Sequence, residues 1–388
     1  MITLSQSPTD PGFVQDPYLF YEQARAGGPF FRWSDYDLTC TTSAAATNAI
    51  FRDRRFGRES PTLLNVPDHL RPFYAVEAHS MLELEPPRHT RLRSLVLRAF
   101  TSRRIAALEP EIALLSHQLI DAFPAGEFDL LRAFGTRLPV IIIARLLGVP
   151  EAMSDDLLGW SNAMVGMYMA GRDRAREDRA VAATEAFAGF LRGYVEDRRA
   201  RPADDLITHL IAAEAGGDRL TTDELIATCI LLLNAGHEAT VHTIGNGVKT
   251  LLETGSQTSL QQPESAVEEI LRFDPALHMF TRWAYADVEV MGHRFRRGDQ
   301  VALLLAAANR DPGVWDDPAV FDPRRLIKAN ATFGAGLHFC VGAPLARLEL
   351  QTALPILFDR CPDLRLTEPP RYADVYHFHG LKRVMVTH

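Results

Sequence analysis

The chain has 388 residues, 47% apolar and 23% charged, with 41 basic side chains against 49 acidic ones and a net charge of −8. That is an ordinary globular composition with enough apolar mass for a large core. The acidic balance excludes the basic surface of a nucleic-acid binder. Cys40, Cys229, Cys340 and Cys361 are too widely spaced for a disulfide framework or a CxxC zinc site, which fits a reducing cytoplasm. The opening MITLSQSPTDPGFVQDP has no basic stretch and no apolar run, so we read no signal peptide there. Apolar runs around Ile141, Leu231 and Leu303 are far too short to cross a bilayer, so no membrane anchor is expected.

In chain order, residues 29–42 alternate apolar and polar and read as strand. Helical spacing follows over 91–122, 137–147 and 176–200. Thr221 and Glu224 then form a T-x-x-E capping box that opens a helix over 222–253. Pro263 starts a further helix that Asp274-Pro275 stops. Residues 286–304 are strand-like, with a turn at Arg297-Gly298-Asp299, and 341–358 is helical. The tail from Tyr376 to Val386 reads as extended. Many helices with a minor sheet drawn from both ends of the chain is an α+β layout dominated by α.

The 222–253 helix is long enough and apolar enough to cross the middle of the fold. Its centre is Ala235-Gly236-His237-Glu238-Ala239-Thr240. Ala235 and Ala239 are four apart and share a face. With Gly236 they leave room either for close helix packing or for something flat beside the helix. Asn234, next to Leu231, Leu232 and Leu233, is costly there unless a partner binds it: backbone, water or a substrate oxygen.

The most informative segment is Phe333-Gly334-Ala335-Gly336-Leu337-His338-Phe339-Cys340-Val341-Gly342. It sets one cysteine on a glycine-rich turn with a helix running on from it. Glycines allow a sharp bend and a close approach to a flat cofactor. The positive end of the helix would lower the thiol pKa and hold the anion. Thiolate is a ligand that pushes electron density onto heme iron. Position for position, the segment resembles the heme-binding signature of the cytochrome P-450 superfamily in its soluble bacterial form.

That resemblance implies a mainly α (α+β) fold with a small β-sheet region. Heme b lies between the long central helix and the helix after the cysteine. It implies Cys340 as axial iron ligand, with Phe333, Gly334, Gly342 and Ala235 around the cofactor. His89 and Arg93 in PRHTRLR, Arg282 after Phe280-Thr281, and His338 match its propionate-binding cations. Glu269 and Arg272 match its buried E-x-x-R pair. Arg325, in Phe321-Asp322-Pro323-Arg324-Arg325, matches the third partner, with a folding role. Because these motifs of one site run from residue 89 to residue 340, we expect one heme domain over 1–388, with no fused reductase.

In the family an acid followed by threonine delivers protons during oxygen reduction. Here the acid is Glu238, but the next residue is Ala239. Thr240 comes one step later, about 100° round the helix. Thr240, an ordered water or a substrate hydroxyl would have to complete the path. Substrate-facing stretches include Leu63, Leu64, Met81, Leu82, Met164, Met167, Met169, Leu231, Leu277, Met279 and Phe280, with Asn234 and His278 as polar anchors. Methionines adapt their shape, so a mid-sized hydrophobic molecule is expected, a terpenoid, polyketide, fatty acid or aromatic of secondary metabolism.

The expected activity is a monooxygenase that uses O2. Its electrons come from a ferredoxin or flavodoxin with an NAD(P)H-dependent reductase. Six arginines and no acid between residues 88 and 104 offer either a solvated face or a docking site for such an acidic partner. A peroxide-using or oxidative-coupling member and a non-catalytic heme sensor or carrier are the alternatives. His377-x-His379 could share a metal, but without a third ligand in sequence it reads as a plain hairpin.

Overall fold

The computed structural model describes residues 1–62, 65–169, 172–213 and 217–388; Leu63 and Leu64 fall outside them. The central helix runs Thr222–Thr254. Thr221 caps it, accepting from the Glu224 N–H while the Glu224 side chain accepts from the Thr221 N–H, and Gly255 ends it in the left-handed region. Helices Arg137–Leu147, Arg174–Ala200 and Pro263–Phe273 stand where the apolar spacing puts them.

The stretch 91–122 is three helices, not one: Arg88–Ala99, Ser102–Ala106 and Glu109–Asp121. Phe100 leaves helical geometry at φ −95 and ψ 69. Thr101 then caps the second piece, and Pro110 sits in the first turn of the third. Apolar periodicity carried through both breaks and hid them. The helix after the cysteine spans Ala343–Arg360 and passes through Pro355.

Six strands form the main sheet, in the order Ile2–Leu4, Phe30–Trp33, Leu38–Thr41, Gln300–Leu304, Met279–Ala284, Phe56–Gly57. Of the expected extended tail only Met385–Thr387 pairs as a strand, with Arg365–Leu366 and Phe128–Asp129. The larger apolar cluster wraps the central helix and includes Ile141, Ile143, Leu233 and Ile244. A second joins the first helices to the sheet through Phe13, Phe20, Phe31 and Trp33. Large apolar side chains buried this completely contribute roughly 1.5–3 kcal/mol each. Among the described residues no helix is long and apolar enough to cross a membrane.

Candidate active site

The loop before Ala343–Arg360 closes on itself. The Cys340 N–H donates to the Phe333 carbonyl at 3.1 Å and the Gly334 N–H to the Ala331 carbonyl at 2.9 Å. Gly334 and Gly336 sit in the left-handed region at φ 67 and 71. A Cβ on Gly336 would lie 2.2 Å from the Phe51 carbonyl oxygen, so glycine is required there. The turn leaves the Cys340 side chain exposed, with Leu337 and Phe339 each 40% exposed beside it.

Protein surrounding the sulfur on its other sides pushes the thiol pKa up. The N–H groups of Gly342 and Ala343 and the charges of Arg93 and Arg347 pull it down without winning. The helix terminus therefore aims at the sulfur, but the expected net lowering is absent. A thiolate here needs a metal cation to complete its stabilisation.

The central helix is buried through most of its length, yet Ala235 is exposed and Asn234, Gly236, Glu238 and Ala239 are half-buried. Glu238 Oε1 accepts from His242 Nε2 at 3.1 Å. Burial pushes the Glu238 carboxyl up, but that bond and the charges of His242 and His237 hold it below its usual range. The hydroxyl of Thr240 donates to the Gly236 carbonyl at 3.0 Å and that of Thr243 to the Ala239 carbonyl at 2.7 Å. Both alcohols spend their protons on their own helix.

Basic side chains gather at another edge. His89 is 1% exposed and its Nδ1 has no partner among the described residues. Among the described residues Arg282, 3% exposed, donates only to the Thr281 carbonyl, and it lies over the Phe51 ring; burial and the nearby Arg58 push its pKa down to about 9. Arg93 donates to the Phe339 carbonyl at 2.7 Å. His338 Nε2 donates to Glu85 Oε1 at 2.8 Å, and its ring centroid is 4.3 Å from that of His89.

Glu85 is the residue that the sequence did not flag. Burial raises its carboxyl, but His338 and the Arg58 N–H hold it low. A buried guanidinium without an ion pair and an imidazole nitrogen without a hydrogen-bond partner, among the described residues, are what carboxylates of a bound group would satisfy. With the open apolar turn and the exposed thiol, the residues fit heme.

Glu269 and Arg272 are 4% and 1% exposed and bond twice, at 2.7 Å each. Arg325 Nε adds a third contact to Glu269 at 3.2 Å.

The pocket residues divide. Met81 and Met167 are buried in the main core, while Leu82 and Leu231 are half-buried. Asn234 Nδ2 is 3.8 Å from Met164 Sδ, and its Oδ1 has no partner among the described residues. Leu277 bridges to Phe378. His278 is fully buried, with Nδ1 2.9 Å from the Tyr21 hydroxyl and Nε2 without a partner among the described residues. Met279 is turned into the cluster of Phe13 and Trp33. In a strand that alternates faces, only one set of side chains can look into the cleft.

His377 and His379 do not act as a pair. His379 Nε2 lies 3.5 Å from Asp274, whose oxygens accept from Tyr18 and Tyr372, and it packs on His278. The basic run also thins out: Arg91 is paired with Asp218 and Glu224, and Arg93 faces the cysteine loop, which leaves Arg88, Arg98 and Arg103 exposed.

The model of the family described as Cytochrome P450 matches residues 168–362. The cytochrome P450 monooxygenase PikC of Streptomyces venezuelae is 36% identical over 92% of this chain and 87% of its own length. The vitamin D(3) 25-hydroxylase of Pseudonocardia autotrophica is 37% identical over 97% and 94%. Among solved structures, P450BioI in complex with an acyl carrier protein ligated to hexadec-9Z-enoic acid superposes with a TM-score of 0.92. Its identity is 33%, covering 97% of this chain and 99% of that one.

Proposed function

This chain belongs to the cytochrome P450 family, whose members are heme oxidoreductases, and from that premise we propose the assignment of its residues and the reaction they serve. The reaction is insertion of one oxygen atom of O2 into a hydrophobic small molecule, by hydroxylation or epoxidation, within one heme domain over 1–388. Heme, when bound, supplies the binding and reductive activation of dioxygen.

Cys340 would hold the heme iron through its sulfur. The observation that carries this reading is the placing of its exposed sulfur at the Gly342 and Ala343 N–H groups. His89, Arg93, Arg282 and His338 neutralise the propionates, and the exposed Ala235 leaves room for the flat face. Glu238, held ionised, passes protons into the cleft. Ala239 has no hydroxyl, and Thr240 and Thr243 donate to backbone. A hydroxyl on the substrate or an ordered water therefore completes the path.

The substrate is an extended apolar molecule with a polar group near the oxidised carbon. The names of two relatives, a vitamin D(3) hydroxylase and a fatty-acyl carrier complex, support that class. Asn234 Oδ1, without a partner among the described residues, is a polar atom for the substrate to meet. Electrons come from a separate ferredoxin or flavodoxin that docks over Arg98 and Arg103. Ala239 also suits peroxide use, the second reading; in the family, Glu238 argues for the electron-fed route.

The deciding experiment screens polyketides, sterols and fatty acids for shifts of the heme absorbance of the holoenzyme on binding. It then compares turnover with a donor system and with hydrogen peroxide alone. Turnover only with peroxide, or with neither, rejects the proposal.

A further inference from the structure

One half-buried pair on the central helix is not accounted for by the assignments above. His242 follows Glu238 by one turn, and its Nε2 is 3.1 Å from Glu238 Oε1. His237 Nε2 stands 3.8 Å from the other oxygen, Oε2. The side chains of Glu238 and His242 are 15% and 17% exposed, whereas His237 is 2% exposed. So of the two imidazoles only His242 combines hydrogen-bond reach to the carboxylate with a path to water.

The site for His242 is built from a second element. A Cβ on Gly380, in the C-terminal segment, would lie 1.9 Å from His242 Nδ1, and the His242 ring sits 6.1 Å from that of Phe378. Gly380 is not in the left-handed region. The backbone there does not demand glycine; the imidazole does.

Resting on the monooxygenase reading, we propose that His242 is the positioning residue that holds Glu238 ionised at the cleft and returns a proton to it, in place of the alcohol that Ala239 lacks. In the relay, ionised Glu238 takes the Nε2 proton of protonated His242 and then releases it into the cleft. Water then reprotonates the imidazole. One proton enters and one leaves, and no electrons move.

The groups that act on Glu238 are few. On its own helix they are His242 and His237, and burial disfavours the charged form of His237. From the C-terminal segment, His379 lies close enough for its imidazole to be disfavoured as a cation by His242. Burial would raise the Glu238 carboxyl, and the His242 bond is the first influence that opposes it. Removing His242 must therefore raise it.

The test reads the Glu238 carboxyl stretch by infrared difference spectroscopy in the ferrous, carbon monoxide-bound holoenzyme across pH, assigned by its loss in Glu238→Gln. In His242→Gln, which keeps a donor but cannot titrate, the midpoint should rise by one pH unit or more. Coupling of NAD(P)H use to product at neutral pH should fall several-fold with little change in KM. Gly380→Ala, which leaves both side chains intact but displaces the His242 ring from its seat, should raise the midpoint in the same direction. An unmoved midpoint in both variants overturns the proposal. A wild-type protein without the red-shifted thiolate band would instead overturn the Cys340 reading, with this midpoint unaffected.

Discussion

Replacing Glu269 with alanine tests what holds the cysteine side of the molecule together. Glu269 accepts four bonds: two from Arg272 at 2.7 Å, one from Arg325 at 3.2 Å and one from the Asp322 N–H at 2.9 Å. Arg272 is 1% exposed and its remaining acceptors are the carbonyls of Asn309, Pro318 and Val320. Without Glu269 a guanidinium stays buried with no anion.

Breaking one side of a buried ion pair costs about 3–5 kcal/mol, against a total stability of about 5–15 kcal/mol for a folded domain. Urea unfolding followed by far-UV circular dichroism, with heme content per protein measured in parallel, should show a loss of that size and poor heme incorporation. Glu269→Ala with Arg272→Met should recover part of it, because the lone charge is gone. A loss under about 1 kcal/mol, the value of exposed pairs, would refute the reasoning.

Gly336→Ala should lower heme content sharply. Left-handed geometry costs a non-glycine residue about 1–2 kcal/mol, and the clash is with a carbonyl that cannot rotate away. Glu349, on the helix after the cysteine, is pushed up to about 8 by burial. Between the unfolded carboxyl pKa and pH 8 the folded state holds a proton that the unfolded state has lost. Stability should therefore fall as pH rises, by about 1.4 kcal/mol per unit; denaturant midpoints should lose that slope in Glu349→Gln, and an unchanged slope contradicts it. Reduction by the natural donor should slow as salt rises and slow again in Arg98→Glu with Arg103→Glu, since exposed charges are screened. A salt-independent rate removes electrostatic docking.

Legibility followed the range of the physics. The capping box at Thr221 and the glycine-rich turn before Cys340 are local, so their residue types display their geometry directly. The break at Phe100 was hidden because apolar spacing continues across it. Met279 was misread because a strand's alternation does not say which face meets the cleft. Glu85 beside His338, His242 against Gly380, and Asp274 against His379 join residues far apart in the chain. Only the fold brings these pairs together. The thiol was misjudged for a related reason: the helix end is visible in sequence, but the burial that outweighs it is not.

The central claim is a bond between the sulfur of residue 340 and heme iron. Cys340→Ser, reduced and exposed to carbon monoxide, should lose the red-shifted absorbance band that the wild-type protein shows, with the fold intact by circular dichroism. A serine variant that keeps the band would contradict the account.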